Sequence, residues 1–190
     1  MEKVEIGLSG FAYPMPCALV GVDVNDKPNY LTIAWFTMVN SKPPYLGMAL
    51  GKARYTNQGI KEKGSFSVNI PSSDMAEVTD YCGIVSGDKS DKAQEFTTFY
   101  GKLKTAPMIR ECPYNLECRL VETVELPSNQ FFIGEIVAAY ADERYLTDGV
   151  PDMKKIDPFV LSMADARYFG IGKYLGKAWD MGKKFLAKKQ

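Results

Sequence analysis

Residues 30–72 read YLTIAWFTMVNSKPPYLGMALGKARYTNQGIKEKGSFSVNIPS. The pattern predicts an apolar strand running from Tyr30 into Trp35 and Phe36, a turn at Pro43 and Pro44, and a second strand ending at Gly51. A short polar helix and a third strand, Ser65 to Ile70, follow. Between the second strand and the helix lies Lys52-Ala53-Arg54-Tyr55-Thr56, with Thr56 placed as N-cap and Gly64 as the C-terminal stop. Backbone N–H groups at a helix start, the cations of Lys52 and Arg54, and the hydroxyls of Tyr55 and Thr56 together suit a phosphate. Solvated cations beside an ordinary capped helix would give the same pattern. Trp35 and Phe36 are neighbours in extended chain and so point to opposite faces; one can enter the core while the other borders a flat ligand.

Working outward, Cys17 to Val24 is an apolar strand turned by Asn25-Asp26-Lys27-Pro28 into the Tyr30 strand, which reads as a hairpin. Asp74 to Val85 reads as a helix capped by Ser73 or Asp74, with Glu77 as capping-box partner, and Ser86-Gly87-Asp88 breaks it. A short helix within Lys89 to Phe96 would carry Lys92, and Leu103 to Met108 reads as short extended chain. Tyr114 to Leu126 alternates, and beyond Pro127-Ser128-Asn129 the stretch Gln130 to Tyr140 is apolar on both faces. The pair predicts a long hairpin whose second strand is buried on two sides, either by packing outside a barrel or by a subunit interface. Pro158 to Leu161 begins one more strand toward Tyr168.

From Lys173 to Gln190 the spacing of Tyr174, Ala178, Met181 and Phe185 predicts a helix with one apolar face. Its lysines give it a net charge of +5. A helix docked by its stripe with lysines in water fits this best, and an acidic partner or membrane surface is the sharper reading. Many short strands with few helices argue for a mainly β barrel with peripheral helices. A single domain, residues 1–190, with a C-terminal helix is expected.

Lys plus Arg balance Asp plus Glu at 23 each, so no global charge draws the chain to nucleic acid or anionic lipid. No apolar run is long enough for a membrane span and no charged-then-apolar signal opens the chain, so a cytoplasmic protein is expected. Histidine is absent, and Cys17, Cys82, Cys112 and Cys118 lack metal-site spacing, so no bound metal is expected. Each cysteine reads as a buried small hydrophobe. No G-x-G-x-x-G follows a strand, which excludes a Rossmann dinucleotide site.

The order of TIAWFTMVNSKPPYLGMALGKARYTNQGIKEKGSFSVNIPS, then DYCGIVSGDKSDK, resembles the flavoredoxin group of the flavin reductase-like, FMN-binding split-barrel proteins. The likeness runs from Pro14-Met15-Pro16 to the PFVL and ARYFGIGKYLGKA segments. It implies a split β-barrel homodimer with a flavin near each subunit boundary. In the families that SGDKSDK resembles, this loop closes over the phosphate end of the flavin, making Lys92 a candidate third cation; a solvated surface lysine is the alternative.

FMN needs a phosphate receptor, partners for the pyrimidine edge of its ring, and apolar walls. Lys52, Arg54, Tyr55 and Thr56 would supply the first, and the backbone of Thr32, Ala34, Trp35 and Phe36 the second. Thr37 or Ser41 could offer a hydroxyl to the ring nitrogen that accepts hydride. The expected function is an FMN-dependent oxidoreductase or electron-transfer flavoprotein working with a redox partner protein or NAD(P)H. The alternatives are an NAD(P)H:flavin reductase that releases reduced flavin, a non-catalytic flavin binder, or a split barrel for another ligand such as haem or pyridoxal phosphate. Haem would lack its commonest axial ligand here, and no lysine is clearly placed for a Schiff base.

Overall fold

Asn25 and Asp26 turn the first hairpin with φ of 51° and 58°. Asn and Asp tolerate this left-handed conformation, and such a turn follows the twist of the strands it joins. The computed structural model describes residues 1–8, 11–183 and 185. After β1 (Met15–Pro16), the hairpin strands are β2 (Ala18–Val24) and β3 (Lys27–Ile33). The turn is thus two residues rather than four, because Lys27 and Pro28 already pair with Val24 and Asp23. Pro28 is tolerated because β3 is an edge strand.

The quoted stretch then gives β4 (Phe36–Ser41), β5 (Pro44–Gly51), the helix α1 (Thr56–Lys63) and β6 (Ser65–Ile70). Gly64 ends α1 with φ 63°, its N–H reaching Ile60 O at 3.0 Å. The Asp74–Val85 helix begins as a 3-10 turn, Ser73–Met75, and continues as α2 (Ala76–Ile84). No capping box forms there, because the Ser73 hydroxyl and N–H are turned to Asp157 instead.

Next come β7 (Thr98–Phe99) and β8 (Met108–Ile109), a two-residue ladder. Of the expected extended run Leu103–Met108, only Met108 is strand. The long hairpin is β9 (Tyr114–Glu125) and β10 (Asn129–Ala141). A small hairpin, β11 (Leu146–Thr147) with β12 (Val150–Pro151), leads through α3 (Met153–Ile156). Where one strand toward Tyr168 was expected there are two, β13 (Phe159–Ser162) and β14 (Arg167–Gly170), with β13 also paired to β1.

Seven strands form one sheet in the order β3-β2-β6-β9-β10-β5-β4. Its two edges, β3 and β4, are separated in sequence only by Ala34 and Trp35. That link spans at most about 11 Å, whereas seven strands laid flat would part their edges by about 29 Å. The sheet must therefore roll into a barrel, left open along a seam between β3 and β4.

Val20, Val22, Ile33, Met48, Phe66 and Phe132 belong to the barrel core, and α1 adds Ile60 to it. A second cluster, including Leu19, Tyr30, Cys82 and Ile109, lies on the opposite face of β2 and β3. All seven residues of β2 are consequently buried. A Cβ on Gly21 would sit 2.2 Å from Pro107 O, so the loop before β8 needs glycine beneath it. Two-sided burial was expected of β10. Its inner residues Phe132 and Gly134 are buried, but Phe131 and Ile133 on the outer face are only half-buried.

The expected helix Lys173–Gln190 is not formed up to Gly182. Residues 171–177 have no regular secondary structure and 178–182 are turns, while residues 184 and 186–190 of that segment lie outside the described residues. Gly172, Gly176 and Gly182 each disfavour helix by about 1 kcal/mol relative to alanine, and Trp179 adopts φ 63°. Over this part of the segment there is no helix, and Tyr174 and Trp179 stand exposed.

Candidate functional site

A cleft of about 330 Å³ opens along the barrel seam. Its floor is Thr32 to Trp35, with Ala49 to Gly51 of β5, Gly83 of α2, and Met163 and Tyr168 of the β13–β14 hairpin around it. Because β3 has a neighbour on one side only, alternate N–H and C=O groups along its free edge are available to a ligand. The expectation holds less well at Trp35, whose carbonyl accepts the Ala49 N–H at 2.9 Å.

Thr32 turns its hydroxyl to Thr79 O on α2, where a Cβ on Gly83 would come within 3.3 Å of Thr32. This contact presses α2 against the seam. Trp35 is exposed, whereas Phe36 packs against the barrel core. On the far side of Trp35 is an apolar cleft of about 610 Å³, with Phe11, Phe36, Thr37 and Phe131 in its walls. Thr37 is therefore close to the seam. Ser41 is not: it pairs with Pro44 at the hairpin tip, about 16 Å along the strand from Phe36.

Arg54 links the seam cleft to a polar one of about 430 Å³ at the start of α1. Lys52, Arg54, Tyr55 and Lys61 line it, facing Ser86 and Asp88. The loop is held by Lys52 N–H to Ser128 O (3.1 Å), Arg54 N–H to Gly51 O (3.0 Å) and Asn57 N–H to Arg54 O (3.1 Å). Thr56 is not the N-cap: Tyr55 holds that place without a side-chain bond, and Thr56 is the first helical residue. Its hydroxyl accepts from Asn29 Nδ2 at 3.0 Å, and the Tyr55 hydroxyl accepts from Asn25 at 3.2 Å. The Asn57 N–H is taken by Arg54 O, and the macrodipole favours an anion at this helix start.

Asn57 adds a mark of an incomplete site. Its Nδ2 donates to Gly51 O (3.0 Å) and Gln130 Oε1 (3.1 Å), while its buried Oδ1 has no partner among the described residues.

Lys92 was expected as a third cation. It is 2% exposed, and its ammonium donates to Cys82 O (3.1 Å) and Val85 O (3.2 Å) at the carboxyl end of α2. Burial holds its pKa below the ordinary lysine value; the nearby Arg54 charge acts in the same direction, while Cys82 acts against it. Its charge thus fastens the 86–92 loop to α2. The third cation of the cleft is Lys61, one helical turn beyond Asn57, a period that sequence reasoning could have used.

Cys17, also at the seam, is 3% exposed and burial pushes its thiol up to about 12. All four cysteines are free and buried. Tyr168 closes the hairpin side, its hydroxyl donating to Asp80 Oδ1 at 2.8 Å. Tyr168, Gly83 and Asn129 were missed by the sequence reading because only the rolled sheet brings them to the seam.

The model of the flavin reductase-like domain family matches residues 10–171. The chain belongs to this family. Flavoredoxin from Methanosarcina acetivorans is 53% identical, with 97% of this chain and 100% of that one covered and a TM-score of 0.95. Flavoredoxin of Desulfovibrio vulgaris (Miyazaki F) is 37% identical over 95% of this chain and 100% of that one, TM-score 0.89. A split-barrel-domain structure from Shewanella frigidimarina shares the fold at TM-score 0.79 and 22% identity, covering 88% of this chain and 87% of that one. The fold is thus a split barrel of the flavin reductase-like type, and the cofactor class is flavin. The residues present fit such a group: apolar walls and free strand edge at the seam, and a cationic helix start one residue of contact away, at Arg54.

Proposed function

We propose that this chain is an FMN-binding flavoprotein that transfers electrons through a cofactor it keeps bound, acting as a homodimer in the cytoplasm. The observation that carries the reading is Arg54, which lines both the seam cleft and the cationic cleft and so joins a place for a ring to a place for a phosphate. Arg54, Lys52, Lys61 and the first amides of α1 would hold the phosphate. The free edge of β3 would face the ring's pyrimidine rim, and Trp35 and Tyr168 would flank it. When bound, the flavin itself takes up and gives away the electrons. The chain's part is to bind, orient and exclude water. The Thr37 hydroxyl is the nearest side chain on β4 able to offer a proton.

An outward apolar face supports the dimer. Phe131 packs over Gly47 beside Val39, and Met38 and Val39 on the edge strand are exposed. A second reading, reduction of flavin by NAD(P)H, draws support from the apolar cleft beyond Trp35, which has room for a flat donor. Titrating the protein with FMN and following the visible flavin bands tests the main reading. A shifted spectrum with saturable binding is expected, and FMN bands that stay unchanged by the protein would refute it.

A further inference from the structure

Glu125 ends β9 at the rim of the cationic cleft and reaches both lysines that line it. Its Oε2 lies 3.3 Å from Lys52 Nζ and its Oε1 3.8 Å from Lys61 Nζ. An exposed carboxylate between two lysines is commonly a mobile, weak ion pair. This one is fixed. Gln130 Nε2 donates to Oε1, and Gln130, itself buried, accepts from the buried Asn57 on α1. The chain Glu125–Gln130–Asn57 thus anchors the carboxylate to the helix whose start forms the site. Arg54, the remaining cation of the cleft, enters no ion pair among the described residues.

Building on the proposed reading of this cleft as the phosphate end, we infer that Glu125 is a specificity-determining residue, a resident carboxylate that competes with the ligand's phosphate for Lys52 and Lys61. A dianion bound at Arg54 and the α1 amides draws both lysines away from Glu125. Weaker anions, with less charge to offer, leave the Glu125 pairs intact. With Asp88 on the other wall, three cations face two carboxylates before a ligand arrives, so the cleft is close to neutral and selective for strong anions. The part of the ligand beyond the phosphate never meets Glu125, so the effect is confined to phosphorylated flavin.

Dissociation constants for FMN and riboflavin, measured by flavin fluorescence at low and moderate salt, test this with wild type, E125Q and E125D. E125Q is expected to bind FMN about three- to tenfold more tightly, the scale of two exposed ion pairs. Riboflavin binding should stay within about twofold and E125D close to wild type. The FMN constant of E125Q should also rise more steeply with salt, since its lysines are no longer paired internally. Should E125Q fail to fold, Glu125→Ser provides the same charge removal. Lys52→Met supplies the cycle: in that background the gain from removing Glu125 should shrink. Unchanged or weaker FMN binding by E125Q, or equal shifts for both flavins, would overturn the inference while leaving the flavin reading intact. Wild-type protein that binds neither flavin would overturn both.

Discussion

Asn29 Nδ2 donates to Thr56 Oγ1 at 3.0 Å, a hydrogen bond between two buried side chains. It ties β3, the seam strand, to the first residue of α1, so the ring cleft and the cationic cleft are held in register. Asn29→Ala removes the bond and strands a buried acceptor, for an expected loss of about 1–3 kcal/mol. Urea unfolding of flavin-free protein measures it, and an unchanged midpoint would mean that the two elements are aligned by packing alone.

Arg54 belongs to both clefts, and its loss should be felt according to ligand charge. A charge-assisted hydrogen bond is worth roughly 1.5–3 kcal/mol, so Arg54→Ala should weaken FMN binding about tenfold to a hundredfold. Riboflavin, without the phosphate, should bind wild type poorly and be nearly indifferent to the change. Equal losses for the two would place the action of Arg54 at the ring instead.

Burial raises the Cys17 thiol from 9.0 to about 12 and the Cys82 thiol to about 11. The fold therefore favours the neutral thiol, and the unfolded chain ionises first. Stability from this source is complete below pH 9.0, the unfolded value, and declines as pH rises toward about 12 for Cys17. Tyr30, whose hydroxyl is also raised chiefly by burial, adds to the loss at still higher pH. Urea midpoints taken from neutral pH upward should fall above pH 9.0, with a shallower fall in Cys17→Ala. A parallel fall in the variant would take Cys17 out of the account.

Much of this site was readable in residues 30–72, and the reason is local. The second strand, the helix after it and the Gly64 stop follow from short-range rules and hold in the structure; the run expected from Tyr30 into Phe36 is instead broken at Ala34 and Trp35 into β3 and β4. Thr56 and Lys92 show where such rules end. A threonine before a polar helix looks like a cap, but Asn29, 27 residues earlier, claims its hydroxyl. A lysine in an acidic, glycine-broken loop looks solvated, but it is buried against the carbonyl end of α2, where it borders a polar cleft with Asn29, Tyr55 and Asp88. Both depend on tertiary neighbours, as do Tyr168 and Glu125. Up to Gly182 the tail departs from its expected helix for a different reason. Its apolar spacing suits a helix, but spacing takes no account of Gly172, Gly176 and Gly182.

The outer face of β10 bears on the dimer. Phe131 lies over Gly47, where a Cβ would come 2.4 Å from its ring, and exposed Val39 adjoins it. Such a contiguous apolar face is expected to be covered by a second copy. Light scattering at micromolar concentration should give twice the chain mass, and Phe131→Lys should reduce it to one. A monomeric wild type would refute the dimer.

The final prediction separates a retained flavin from a released one. This chain has no histidine, so no side chain has an unperturbed pKa near neutrality. The buried thiols are shifted further from it, and Lys92, lowered by burial, is engaged with two carbonyls at the end of α2. A reaction that needs a buffered acid and base is thus poorly served here. Electron transfer through a held flavin makes a smaller demand, since protons can come from water or through the Thr37 hydroxyl. Steady-state oxidation of NADH and NADPH should therefore be slow and unaffected by added free FMN, whereas a low-potential protein donor should reduce the bound flavin quickly. Rapid turnover that scales with added FMN, with flavin-free protein recovered after each cycle, would show instead that the chain reduces flavin and lets it go.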